Sequence, residues 1–183
     1  MKLSLTSPGI GLGLALVTIL PAIAQTNSEP KFEGQTSRNQ QSAPVPETFA
    51  RAAAAMNRSQ IEASEIALNR STETVIQALA RDVLRDHQQA QKELFQAAKE
   101  QGISVMAIAD SDREAQVDAL KNAPDEQFGA TFLSLLAVAQ QDAIDLHTLY
   151  GDTGQKGALK VHANAQLSTL RTHLIRAQSA AER

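Results

Sequence analysis

The 183-residue chain has no cysteine and no tryptophan, and aromatic residues make up only 3% of it. Without cysteine there is no disulfide, no thiolate metal site, no covalent c-type haem attachment and no lipid-modified cysteine behind a signal peptide. A core poor in aromatics and built from Ala, Leu, Ile and Val suits close-packed helices better than a β-sandwich. Basic charge is short too. Lys and Arg number 17 against 20 Asp and Glu, a net charge of −3, which is not the electrostatic footprint of a nucleic-acid binder. No Gly-rich phosphate loop and no zinc-protease motif occurs. Gly151-Asp-Thr-Gly154 has the letters of an aspartic-protease motif, but it stands alone between two helical patterns and reads as a turn.

Hydrophobic residues make up 43% of the chain, enough for a core, and the length fits one domain. The first 24 residues are a segment apart. Lys2 supplies a positive start, the run from Ile10 to Leu20 is largely apolar or glycine, and Pro21 breaks it. Ala22-Ile23-Ala24 fits the small-x-small rule for cleavage before Gln25. As an uncleaved anchor the run is only about half of the roughly 20 residues that span a bilayer. The expectation is therefore a cleavable signal peptide, a periplasmic protein and no transmembrane segment in the mature chain. Residues 25–46 are rich in Gln, Ser, Asn, Thr and Pro, with Phe32 their one large apolar side chain. They bury too little to offset ordering and read as a disordered spacer.

Residues 47–183 carry four long helical patterns. The first runs from about Glu47 to Asn69 with Phe49, Ala53, Met56, Ala63 and Ala67 on one face. Ser71 or Thr72 is the expected cap of the second, which carries Ile76, Leu79, Val83, Ala90 and Leu94 inward and ends near Gln101, with Gly102 as its C-terminal cap. A short extra helix opens at Ser111-Asp-Arg-Glu114, read as a capping box. Pro124 opens the third long helix, which is expected to stop at Gly151, with Phe128, Phe132, Leu135, Ala139 and Leu146 inward. The fourth runs from about Gly154 to Ala180 with Val161, Leu167, Leu170, Leu174 and Ala177 inward. The sum is an all-α antiparallel four-helix bundle with a short helix between the second and third.

Each long helix also points one polar side chain at the core. These are Gln60, His87, Gln140 and His173, and together they are the candidate buried polar site. The spacing hints at a duplicated hairpin. Gln60-Ile-Glu-Ala-Ser-Glu-Ile66 matches Gln140-Gln-Asp-Ala-Ile-Asp-Leu146, and Leu84-Arg-Asp-His87 matches Leu170-Arg-Thr-His173.

Phe49-Ala-Arg-Ala-Ala-Ala, Ile66-Ala67, Arg85-Asp86-His87, Gln101-Gly102-Ile103, Phe128 and Leu170-x-x-His173-Leu174 occur in an order that carries a resemblance. Residues 48–179 resemble the domain of unknown function family numbered 4142, exported bacterial proteins often labelled as outer-membrane proteins. The resemblance implies a ferritin-like bundle of unassigned function, and outer-membrane association, which the spacer does not support with any amphipathic pattern. The chain departs from the family at Gln60, where a glutamate is usual, at Gln140, where a histidine is usual, and at Gly129, where an aspartate is usual.

Ferritin-like oxidases need a carboxylate from each of two helices and Glu-x-x-His from each of the others. Here Gln60 and Gln140 are neutral, and Leu84 and Leu170 stand three residues before His87 and His173. Carboxamides bring no charge to a hard cation. Heights differ as well: His87 lies about 25 Å above the first hairpin turn and Gln60 about 15 Å. Glu62 and Asp142 are two positions along, swung away from the core face. His87 therefore reads as a core histidine satisfied by Gln140 or a buried water, with metal ligation at His87 and His173 as the alternative. His173, beside Arg176, reads as a helix-edge residue. His147 and His162 have no ligand partner one turn away and read as surface residues. The residues point to no catalytic group and no cofactor. Two functions follow: a non-enzymatic envelope protein that binds a protein partner or a small ligand or buffers stress, or a reduced ferritin-like protein that binds or oxidises iron or another divalent metal.

Overall fold

The path of the chain is set by where helix-forming stretches meet their stops. A computed structural model describes residues 44–106 and 110–183, which fall in one compact unit. The expected signal peptide and nearly all of the spacer lie outside the described residues. Among the described residues all regular structure is helical: α1 (Pro46–Arg70), α2 (Thr74–Glu100), α3 (Ser111–Lys121), α4 (Asp125–Thr153) and α5 (Ala158–Ala181). None of these helices is long and apolar enough to cross a membrane.

Three-residue and four-residue links fold α1 against α2 and α4 against α5 as antiparallel hairpins, and α2 then packs on α5 and α1 on α4. The long crossover between the hairpins carries α3, which lies on α1 and α4. One cluster around Ile76, Leu79, Leu120, Phe128, Phe132 and Leu136 fills the bundle toward α3. A second, around Phe49, Leu94, Tyr150 and Leu159, fills the opposite end. Burying each such side chain contributes about 1.5–3 kcal/mol, which is what holds moderately amphipathic helices together.

Helix ends depart from expectation by physical detail. The α3 cap is Asp110, whose carboxylate accepts from the Arg113 amide at 3.2 Å, so Ser111 is already inside the helix. At α2 the cap is Glu73, and the Ser71 hydroxyl accepts from its amide at 3.2 Å instead of capping the helix. Gly102 does end α2: its φ of 72° is left-handed, its amide reaches the Lys99 carbonyl at 3.0 Å, and the Ile103 amide reaches that of Ala98 at 2.9 Å. Gly151 does not end α4, which continues to Thr153. Its missing side chain makes room for Asn164 of α5, whose Oδ1 would lie 2.5 Å from an added Cβ.

Two long-range contacts tie the crossover down. The Arg70 guanidinium donates to the carbonyls of Leu120, Lys121 and Ala123 and lies over the Phe128 ring, 4.5 Å from its centre. The Gln101 side-chain oxygen accepts from the Leu159 amide at 2.8 Å, closing the first turn of α5 from the other hairpin. Gly129 lies under the Glu73 carboxylate, which would stand 2.7 Å from an added Cβ. An aspartate there would set two carboxylates against each other.

Candidate functional site

On α1 the apolar face steps through Phe49, Ala53, Met56 and Ala67, and Asn57 falls on its edge, buried. Asn57 and His87 are equally far from the turn at Thr72, so hairpin geometry brings them level. The Asn57 Oδ1 lies 2.8 Å from His87 Nδ1, and Gln140 Nε2 of α4 lies 3.0 Å from His87 Nε2. The Gln140 amide nitrogen can only donate and the Asn57 oxygen can only accept. His87 is therefore the neutral Nδ1–H tautomer with both nitrogens engaged. Burial, the largest cause, pushes its pKa down to about 3, and the nearby His173 and His147 push the same way.

His173 completes this layer from α5. Its ring stacks on His87 with centres 6.2 Å apart, and its Nε2 lies 3.0 Å from an Asp86 carboxylate oxygen. It is not a helix-edge residue, since only 2% of its surface is exposed. Burial lowers its pKa, and the Asp86 charge works against that. Since a carboxylate only accepts, Nε2 carries the proton and Nδ1 is left bare, buried and without a partner.

Three of the four expected residues, His87, Gln140 and His173, thus meet in one layer, and α1 supplies Asn57 rather than Gln60. Gln60 is buried one turn closer to the α1–α2 link. There it lines a separate small cavity of about 20 Å³ with Ser59, Val117, Leu120 and Phe132, while the hydrogen bonds of His87 go to Asn57 and Gln140. Glu62 and Asp142 face outward, where Lys121 holds Glu62 at 2.7 Å and Arg113 lies 3.7 Å from Asp142.

His147 and His162 are a correction. Neither is at the surface: they are 4% and 6% exposed and form a second layer nearer the α4–α5 link, their ring centres 6.1 Å apart. His147 continues the buried stripe of Leu136, Gln140, Ala143 and Tyr150 at alternating steps of four and three, a signal that was present in the sequence. His162 lies beside Ala163 on the buried face of α5, whereas Val161, expected inward, is 70% exposed. The His147 Nδ1 lies 2.8 Å from the Ala143 carbonyl, which fixes the proton on Nδ1. Phe49 meets the His147 ring edge-on at 5.3 Å and stacks on Tyr150 at 4.1 Å. His162 has its pKa lowered to about 4, by burial first and then by His147, with Glu93 opposing. Burial lowers His147 as well.

Between the two layers lies a cavity of about 10 Å³, lined in part by Asn57, His87, His147, Gln166 and Thr169, about the room one water takes. Among the described residues no group of three His, Asp or Glu is arranged to hold a metal ion. What the central layer can do chemically is limited. It holds a neutral imidazole between two carboxamides, and its nearest carboxylate, Asp86, is engaged by Arg85 and His173.

No curated protein sequence matches the chain. Among solved structures, a DUF305 fragment from Deinococcus radiodurans superimposes with a TM-score of 0.68 at 18% identity, over 78% of this chain and 99% of that one. At that identity the likeness speaks for the fold alone. The family model described as "Domain of unknown function (DUF4142)" matches residues 32–180, most of the chain and all five helices but the last residue of α5, and on that match the protein belongs to this family.

Proposed function

We propose that this is an exported envelope protein, periplasmic after cleavage behind Ala24, whose ferritin-like four-helix bundle serves as a non-catalytic scaffold for a protein partner or for stress protection. The ferritin-like reading is supported by two antiparallel hairpins, short links within each and one long crossover between them. The single observation that carries the non-catalytic reading is His87. Both of its nitrogens are taken by carboxamides, in the place where an oxidase of this architecture would gather carboxylates around metal. The runner-up, iron binding or oxidation at His87 and His173, has the Asp86–His173 contact in its favour.

Two measurements test the reading. Cell fractionation of the full chain is expected to release a protein beginning at Gln25 into the periplasmic fraction, and retention in the membrane pellet with Met1 intact would overturn export as a soluble protein. Ferrous iron added to the purified protein in air is expected to oxidise no faster than in buffer. Oxidation that is fast, and is lost in a His87→Ala/His173→Ala double variant, would favour the iron reading instead.

A further inference from the structure

The outward face shared by α2 and α5 is apolar where contact with water gives no reason for it. Val161 is 70% exposed, Ile175 61% and Val75 45%, and all three lie on this face. Two grooves open between the helices. One, of about 250 Å³, has Val75, Ala78, Leu79, Ile175 and Ala180 among its walls. The other, of about 580 Å³, has Ala97, Ala158, Val161 and Ala165 among its walls. Along α5 the outward row runs Val161, Ala165, Ser168, Thr172, Ile175 and Ser179, every one exposed and none charged. Its alternating steps of four and three are those of a seam that packs against another helix. The Thr172 hydroxyl already donates to the Ser168 carbonyl at 2.9 Å, so that residue can be covered without orphaning a donor.

The charges beside this seam identify what fits it. Asp82 meets Arg176, Asp86 meets His173, Glu93 meets Gln166 and Gln101 meets Leu159, which fixes the level of each residue on the two antiparallel helices. A second copy laid antiparallel on the face has its two-fold axis at Gln89 of α2 and midway between Ser168 and Thr172 of α5. The face then matches itself. On α5, the large Ile175 falls on the small Ala165 of the other copy, at the wall of its larger groove, and Val161 falls on Ser179. On α2, Glu93 comes level with Arg85 of the other copy and Lys92 with Asp86. Opposite charges placed symmetrically about one axis are what a self-complementary interface requires. Arg85 engages Asp86 through Nε and Asp82 through one terminal nitrogen, and has the other terminal nitrogen for Glu93. The face is two helices wide, roughly 20 Å, and roughly 37 Å long from Val75 to Glu100, so it offers about 700 Å² per copy, close to the ~800 Å² of a standard interface.

We propose that the α2–α5 face joins two copies of this chain in an antiparallel, two-fold symmetric dimer, with Ile175 of each copy seated over Ala165 of the other. The dimer is built from exposed side chains and does not rest on the reading of the buried histidines.

The test is sedimentation equilibrium of the purified protein over a wide range of concentrations. The mass of two chains is expected, falling toward that of one on dilution. Ile175→Glu and Glu93→Arg should each weaken association by about tenfold or more, because an unpaired or like charge at an interface costs at least that much. Both side chains are exposed, so the melting temperature of the dilute, monomeric variants should match that of the dilute parent. Adding Arg85→Glu to Glu93→Arg exchanges the two charges and should recover most of the lost affinity. The chain has no cysteine, so a single introduced one gives a direct readout. Gln89→Cys, beside the axis, should yield a disulfide-linked dimer under mild oxidation, and Gln141→Cys, exposed on α4, should not. A protein that is monomeric at every concentration would overturn the proposal and leave the face to a protein of another kind. A dimer indifferent to both Ile175→Glu and Glu93→Arg, or cross-linking equal at the two cysteines, would overturn it as well.

Discussion

In the central layer His87 has a carboxamide on each ring nitrogen, whereas in the layer beside the α4–α5 link His162 keeps Nε2 buried with no partner. The residue type and the degree of burial are the same, and both rings are held neutral by desolvation. The difference lies in what the neighbouring helices supply. Asn57 and Gln140 come level with His87 because each is the right number of turns from its link. Against His147 lies the edge of Phe49, itself stacked on Tyr150, which fills space and offers the ring no hydrogen bond. A histidine with both nitrogens satisfied, like His87, specifies how three helices register with one another, whereas His162, like His173 at Nδ1, leaves one nitrogen unpaired.

The largest expected effect comes from breaking the two hydrogen bonds of His87. His87→Ala leaves Asn57 and Gln140 without their partner and opens a cavity, at a cost of about 3–5 kcal/mol in urea unfolding. In metal-free buffer His162→Leu removes an unpaired polar atom and should change stability by less than about 1 kcal/mol. Equal losses in the two variants would erase the contrast between the layers.

Acid comes next. His87 and His162 are depressed in the folded protein to about 3 and about 4, from the ordinary 6.5. The unfolded chain therefore binds more protons below pH 6.5, so their stabilisation is complete above that pH and is lost as pH falls toward the folded values. From His87 alone the loss at pH 4 is about 3 kcal/mol. Denaturant midpoints measured from pH 7.5 to pH 4 should fall, and His87→Gln should flatten the slope more than His162→Gln. A midpoint that does not move with pH would mean the rings are not held neutral.

Gln140→Leu should cost about 1–3 kcal/mol by orphaning His87 Nε2, and it should shift the ring ¹⁵N resonances of His87 and not those of His162. The smallest effect is at the link between the hairpins, where Gln101→Ala should lower stability by about 1 kcal/mol, as loss of a helix cap does. No change would mean that water caps α5 equally well.

The fold class, the order of elements and most buried apolar positions were legible because amphipathic periodicity and glycine or proline stops act locally. The site was legible in part. His87, Gln140 and His173 stand out as polar residues on apolar stripes, but choosing Asn57 over Gln60 needed the level of the turn, and the sequence shows only that the heights of His87 and Gln60 disagree. His147 and His162 were missed because they were judged by ligand spacing along one helix, while their partner lies across the hairpin. Val161 was assigned inward from a stripe whose spacing to Leu167 breaks the helical step. The roles of Arg70 and Gln101 were not legible at all, since their partners lie fifty or more residues away in sequence.

Leu159 is the second residue of α5, and its amide hydrogen has no acceptor within its own helix. Its acceptor is the side chain of Gln101, at the end of the other hairpin. Its rate of exchange with solvent deuterium therefore records how often the two halves of the molecule come apart, independently of fraying within either half. One resonance thus serves as a gauge of docking for the whole bundle.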